Sequence, residues 1–369
     1  MSTEQHRQYR TLIVGTGAIA DAHAEAIAAQ GGRAAVVACA DVNPDRAATF
    51  ASRWGIPTVY ASVEEALASE SLDLVHVCTP PVAHLAVAAA ALGAGVIPIV
   101  EKPPVRSLEE LEELARLERS TGVPVVSVFQ QRFGSGAVRL RRLLAEGTLG
   151  RPLLAHCHTL WYRDADYFAV PWRGRWDTEG GGPTMGHGVH QFDLLLSVLG
   201  PWRELVAVAG RQSRDTETED VSTAIVTFES GTIATIVNSV VSPRETSSLR
   251  FDFEYGSVEL DHLYGYGDAD WRVTGLPDDQ SVQLAWDDGE PEVRSGHVAQ
   301  FAAVLDALDR GERPPVDLDE ARSTMELIAA IYASSFTGRR ITRGELAPTD
   351  PFFSSMLGSG APWLETVTR

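Results

Sequence analysis

Cysteine is scarce in this chain of 369 residues: Cys39, Cys78 and Cys157 stand far apart, and no CxxC pair occurs. An odd, dispersed set argues against a disulfide framework and reads as reduced thiols in a cytoplasmic protein. Positive charge is also short. Lys and Arg number 31 against 50 Asp and Glu, a formal charge of −19. Binding to a phosphate backbone needs clustered cations, so neither nucleic acid nor an anionic membrane is an expected partner, and the acidity serves solubility. Long apolar runs are missing too. The longest, Leu85 to Val100, is Ala-rich and broken by Gly93, Gly95 and Pro98, which makes it too short and too interrupted to span a bilayer. The N-terminal MSTEQHRQYR lacks the apolar stretch that a leader peptide carries. There is no internal repeat and no low-complexity linker.

With 44% hydrophobic residues the chain can bury two cores, and its length exceeds what one ordinary core serves. Up to about Ser127 the apolar runs TLIVG, AAVVACAD, LDLVHVCTP, GVIPIVE and VPVVSVF alternate with helix-like stretches. These run from Ala18 to Gln30, Pro44 to Trp54, Val63 to Ala68, Val82 to Leu92 and Leu108 to Ser120. Short continuous strands of this kind suit a parallel sheet covered on both faces, so the first part is expected to be a doubly wound α/β domain. Pro44 after Asn43, and Ser107 before a Glu-rich turn, mark two helix starts.

Beyond Arg151 the period changes to two. LLAHCHTLWY, ELVAVAGR, VSTAIVTFE, TIATIVNSVV, LRFDFEYG and SVELD read as an open, mostly antiparallel sheet, with a hairpin joining Ile225 to Ile236 across Glu229-Ser230-Gly231. Helices are expected at Val189 to Leu199, near Val298 to Leu308 and at Leu318 to Ser335. The boundary falls between Phe129 and Gly150, which divides the chain into a doubly wound domain at residues 1–130 and a second domain with the open sheet at 131–369.

Two motifs about ninety residues apart carry the chemistry. GTGAIA, Gly15 to Ala20, has the G-x-G-x-x-A form between a strand and a helix. Gly15 permits the tight turn, Gly17 lets the backbone approach a pyrophosphate, and the amides around Ala18 and Ile19 open the helix toward the anion. Asp41 ends the next strand. It can accept hydrogen bonds from adenosine ribose hydroxyls and repel a 2′-phosphate, favouring NAD over NADP, or it can simply cap the helix near Pro44. Thr79, Pro80 and His84 leave a third strand toward the same crevice, although a histidine in a first helical turn is more often structural. EKPP, Glu101 to Pro104, places Lys102 just past a further strand, and Glu101 is counted with it among the cofactor-binding candidates.

GTGAIADAH, CTPPVAHLAVAAAALGAGVIPIVEKPPVRSLEE and GGGPTMGHGVHQFDLLLSVLG resemble the Gfo/Idh/MocA family, and the likeness covers most of the chain. The resemblance implies a Rossmann domain followed by an open antiparallel sheet. It also implies NAD(P)-dependent oxidation or reduction of a sugar or cyclitol carbon, and dimers or tetramers formed through that sheet. It casts Lys102 as the residue that binds the reacting hydroxyl and assists proton transfer, and His190 as the catalytic histidine. The family's aspartate four residues before that histidine is replaced by Gly186. Either His187 beside it substitutes, or His190 acts with Lys102 alone, and Asp193, one turn on, is placed to orient the His190 ring.

Oxidising an alcohol needs a hydride acceptor and a base. Histidine titrates near ~6.5 and suits the base, while lysine at ~10.4 needs lowering, which the positive charge of bound NAD⁺ favours. HGVH without a nearby carboxylate or thiolate is insufficient for a metal site, so no metal is expected. The segment from Trp161 to Trp176 is dense in aromatic and charged groups. Trp161, Arg163, Asp164, Tyr167, Trp172, Arg173 and Trp176, with His187 and His190, are the substrate-binding candidates, since ring faces and polar groups match a sugar; the plain alternative is packing at a domain or subunit seam. Two other readings remain open: a glycosidase that oxidises its substrate transiently with NAD⁺, and a non-catalytic cofactor-binding regulator.

Overall fold

The structure, a computed structural model, describes residues 7–287 and 289–364; the first six residues of the polar N-terminal stretch lie outside the described residues. The chain divides into two compact units. The first comprises the residues through Val105, Glu110–Val128 and His297–Ala321; the second comprises Arg106–Glu109, Phe129–Gly296 and the residues from Arg322 on.

The first unit is built on six strands: β1 (Tyr9–Val14), β2 (Ala34–Ala40), β3 (Thr58–Tyr60), β4 (Leu74–Val77), β5 (Ile97–Val100) and β6 (Val126–Ser127). Their order is β3-β2-β1-β4-β5-β6, and every neighbouring pair is parallel. Helices α1 (Ala18–Ala28), α2 (Pro44–Trp54), α3 (Val63–Ser69), α4 (His84–Gly93) and α5 (Leu108–Thr121) connect them. Leu12 and Ile13 on the central strand are fully buried. That burial explains the continuous apolar runs in the sequence. The strand order reverses between β1 and β4, so the ligand crevice of this fold lies at their C-terminal ends. The cap at Asn43, whose side chain accepts from Arg46 N at 3.0 Å, starts α2 where the sequence placed it. β3, only three residues long, is too short to show a period.

The expected domain assignment needs one correction. The helix His297–Asp309 belongs to the first unit, where Phe301, Val304 and Leu305 share a core with Ile13, Ala24 and Ile27. This returning helix packs on α1 and covers the apolar stripe that carries Ala24 and Ile27. A boundary read from a change of period does not register a later return of the chain.

The second unit carries β7 (Pro152–Tyr162), β8 (Trp202–Gly210), β9 (Val221–Phe228), β10 (Ile233–Ser239), β11 (Val241–Phe253), β12 (Gly256–His262), β13 (Trp271–Gly275) and β14 (Ile341–Thr342). They form one sheet in the order β13-β12-β11-β7-β10-β9-β8-β14. All neighbours are antiparallel except β7 and β10, which run parallel. The β9–β10 hairpin closes over Glu229-Ser230-Gly231, with Ile225 opposite Thr235 and Ile236 opposite Ala224. Along β9, Ser222, Ala224, Val226 and Phe228 are buried while Thr223 and Ile225 are exposed, the alternation of a sheet covered on one face. The helix Val189–Leu199, buried at every position but Ser197, lies in this unit. Among the described residues no helix is long and apolar enough to cross a membrane.

Candidate active site

In the first unit the turn after β1 leaves room for one residue type only. Gly15 has φ +85°, and a Cβ there would lie 2.8 Å from the backbone of Cys78 and Thr79. A Cβ on Gly17 would meet nothing within 4 Å, so the approach to the start of α1 is open on that side. No side chain caps this helix. Ala20 is fully buried, packing the helix close to the sheet. At the end of β4 the Thr79 hydroxyl is buried without a partner among the described residues. Open amides at a helix start and a waiting hydroxyl fit a dinucleotide pyrophosphate.

Asp41 is more occupied than the sequence reading expected. Its carboxylate accepts from Thr16 N (2.7 Å) and Oγ1 (2.9 Å), from Asn43 N (2.8 Å) and from Arg46 Nε (3.0 Å) and Nη2 (2.6 Å). Burial pushes this carboxyl up, but those donors outweigh it and hold the pKa at about 2. Arg46, half exposed, is a residue the motif reading missed, and it pairs with the carboxylate that was read as the ribose acceptor. His84 is a further revision. It is buried and bridges Thr79 O and Pro103 O, each at 2.8 Å, so it ties two strand exits together rather than facing a ligand. Glu101 likewise turns inward, toward His23 and His297.

Lys102 stands at the exit of β5, its amide bonded to Glu101 Oε2 at 3.1 Å. It is the only lysine in the chain; the other 30 of the 31 Lys and Arg positions are arginine. An arginine stays charged throughout the physiological range, whereas a lysine can release its proton. The one departure from arginine thus falls within the EKPP motif. The composition holds this signal, and an argument from spacing alone passes it over.

In the second unit the glycine tract before the histidines is a packing device. Cβ atoms on Gly181 and Gly182 would come within 2.4 Å of the Tyr332 hydroxyl and 2.2 Å of Glu219 O. Buried Glu219 accepts from Gly182 N, Thr184 N and the Tyr332 hydroxyl, which anchors the short helix Pro183–Gly186. His187 and His190 follow it, 6% and 2% exposed. His187 Nε2 lies 3.2 Å from the Tyr167 hydroxyl, and its ring meets Trp161 edge-on at 5.0 Å. His190 packs edge-on against Tyr264 at 5.4 Å. Both oxygens of Asp193 accept from Arg132 at 2.6 Å, a partner the sequence reading did not anticipate.

The aromatic segment separates into two groups. Trp161, Arg163, Tyr167, Trp172 and Arg173 gather near His187: Arg163 stacks on Trp161 (4.7 Å) and Tyr167 (5.2 Å), and Arg173 on Tyr167 (3.8 Å) and Trp172 (4.4 Å). Arg173 also donates to the Tyr167 hydroxyl. Trp176 and Asp164 do other work. Trp176 packs on Tyr332 and Phe336 and donates to Glu217 O, and Asp164 caps the helix Ala165–Phe168. Both answer to the plain packing reading of the segment.

Two family models match the chain: an oxidoreductase family NAD-binding Rossmann fold at residues 9–129 and the GFO/IDH/MocA C-terminal domain at residues 137–259. The chain belongs to the Gfo/Idh/MocA oxidoreductase family. It is 24% identical to D-apiose dehydrogenase of Paraburkholderia graminis, over 98% of this chain and 96% of that one. It is 24% identical to D-glucoside 3-dehydrogenase of Escherichia coli, over 90% and 97%. Among solved structures, the WlbA dehydrogenase of Bordetella pertussis with NADH and UDP-GlcNAcA aligns with TM-score 0.81 at 25% identity, covering 91% of this chain and 99% of that one.

For a member of the Gfo/Idh/MocA family, Gly186 is the notable departure, and a buried carboxylate of the second unit lies beside it. A Cβ on Gly186 would stand 3.4 Å from Glu179 Oε1. Glu179 is buried, accepts from Gly174 N at 2.6 Å and lies 4.0 Å from Arg173. Seven positions away in sequence, it gives no local signal; only the turn between them brings its oxygen to residue 186.

Proposed function

We propose that this protein is an NAD-dependent dehydrogenase of a secondary hydroxyl on a sugar, glycoside or cyclitol, acting in the cytoplasm as a homodimer or homotetramer. The observation that carries the reading is the chain's sole lysine at the exit of β5 in an NAD-binding unit. The names of the relatives support a sugar-like substrate. NAD, when bound, accepts the hydride, and this chain's residues handle the proton. Lys102 binds the hydroxyl and shares its proton, and His190 serves as the acid–base histidine. His187, with Tyr167 and the carboxylate of Glu179, tunes that end of the site. Trp161, Arg163, Tyr167, Trp172 and Arg173 present ring faces and donors suited to a sugar.

NAD preference follows from Asp41, ionised at the end of β2 and hostile to a 2′-phosphate once Arg46 turns away. The test is a panel of sugars, glycosides and inositols scored by NADH absorbance, with NADP in parallel. Net NADH release on at least one substrate, with kcat/KM favouring NAD about tenfold or more, is expected. Asp41→Ala should weaken NAD and narrow that preference. Aglycone release without net NADH would point to a glycosidase, and tight NAD binding without any turnover to a regulator.

The oligomer reading rests on the outer face of the second unit's sheet. Val206 lies opposite Ile225, and Ile233 beside Leu154, all exposed, which puts two apolar pairs on adjacent strands of one face. A second copy of the chain is its proposed cover. Light scattering should give the mass of a dimer or tetramer, and Ile225→Asp should shift it toward the monomer; a monomeric wild type would sink the idea.

A further inference from the structure

Behind Lys102 lies a buried chain of side chains that the reaction as described does not use. His23 on α1 and His297 on the returning helix both reach Glu101 Oε1, at 3.0 and 2.7 Å. The second oxygen accepts from Lys102 N at 3.1 Å. His76 on β4 continues the chain, its Nδ1 lying 2.8 Å from His23 Nδ1. The side chains of His23, Glu101 and His297 are 2%, 5% and 9% exposed. Beyond Lys102, His84 Nδ1 bonds Pro103 O at 2.8 Å. The main chain of the single lysine is therefore held on both sides by buried groups drawn from separate elements.

His23, Glu101 and His297 also have ligand atoms within 4.8 Å of one another, as a metal site requires. Hydrogen-bond accounting favours protons instead. A carboxylate only accepts, so each imidazole donates its Nε2–H to Glu101. His23 Nδ1 is then a bare lone pair, and His76 donates its Nδ1–H to it. His23 and His76 are then neutral, and separations of 2.7 and 3.0 Å to Glu101 are ordinary hydrogen-bond lengths. Burial holds His23 and His76 below their usual range, which agrees with neutral rings. Burial works against ionisation of Glu101, but the hydrogen bonds from His23 and His297 outweigh it and keep the carboxylate anionic, on the residue next to the only lysine.

We propose that Glu101, clamped by His23 and His297, is a positioning residue for Lys102: it fixes the lysine's main chain and keeps a buried negative charge beside it that sets the amine's proton affinity. The functional weight of this clamp rests on Lys102 being the proton-transfer group.

The single lysine makes the test direct and independent of the substrate. Reductive methylation with carbon-13 labels one side chain besides the α-amine, and NMR then follows its titration in the full chain, with and without NAD. Glu101→Gln should lower the Lys102 pKa by about half a pH unit or more, because losing a nearby anion favours the neutral amine. NAD affinity should stay within about twofold. His297→Leu should shift the titration in the same direction, and His297→Gln, whose amide can donate to Glu101, should restore most of it. That pair keeps the test alive if Glu101→Gln fails to fold. An unshifted titration in folded, NAD-binding variants would overturn the clamp, and so would equal shifts in His297→Leu and His297→Gln. A stoichiometric divalent metal in the wild type, lost in His297→Leu, would overturn it in favour of a metal site. Undiminished turnover in Lys102→Ala would remove the parent reading while leaving the titration result intact, so the two failures are distinct.

Discussion

At position 102 the difference between the two basic side chains is the whole argument. Lys102→Arg keeps the positive charge but removes the releasable proton. Turnover should fall by about 10²-fold or more, with NAD affinity within a few-fold, as NADH-formation kinetics and a fluorescence titration would show. Near-normal turnover would mean that charge alone suffices. The histidines should part company in the same assay. His190→Ala is expected to lose about 10² to 10⁴ in turnover and the acid limb of its pH–rate profile. His187→Ala should mainly raise KM, because its partner is Tyr167 in the aromatic group. The reverse pattern would place the base at His187, with Glu179 beside it.

At the scale of elements, the β1–α1 turn and the strand exits at Cys78 and Thr79 behave as one piece. Gly15→Ala would place a methyl 2.8 Å from rigid backbone at φ +85°. We expect a stability loss of about 2 kcal/mol or more and a larger loss of NAD affinity, since relief requires β1 and β4 to part where the dinucleotide binds. Gly17→Ala meets open space, so it should keep the melting temperature and lose NAD affinity alone. Thermal melts paired with NAD titrations separate the two, and equal melting temperatures for both variants would contradict the packing argument. The tight contacts of Gly181 with Tyr332 and of Gly182 with Glu219 make those two glycines structural.

Across the whole molecule, acid should act first through buried histidines, since His23 and His76 of the first unit, like His262 of the second, are held by burial below their usual range. His262, at the end of β12 in the second unit, is held by burial at a pKa of about 4. The unfolded chain takes up that proton near ~6.5, so this contribution is full above that pH, declines as pH falls toward about 4, and is flat below. The loss is on the order of 3 kcal/mol. Asp41 in the first unit, held at about 2, gives up its share only below the ordinary aspartate range. Seven of the eight tryptophans lie in the second unit, so their fluorescence against pH reads that unit first. His262→Gln should flatten the loss between pH ~6.5 and ~4; an unchanged profile would assign the acid sensitivity elsewhere.

The sequence by itself determined whatever depends on neighbours along the chain. Alternating strands and helices through Ser127, the G-x-G-x-x-A turn, the cap at Asn43 and the helix Val189–Leu199 are local choices of turn, cap and period, and the structure places them where they were read. Lys102 was legible from its motif, and more so from being the chain's one lysine. What the tertiary structure decided are pairings across distance. His297 reaches Glu101 from 196 residues away, Glu179 comes to Gly186 around a turn, β7 runs parallel to β10 inside an otherwise antiparallel sheet, and Trp176 leaves the aromatic group for a core. A hydrogen bond or a packing contact depends on distance in space, and position along the chain constrains that distance only over a few residues, so these partners had no local pattern to announce them.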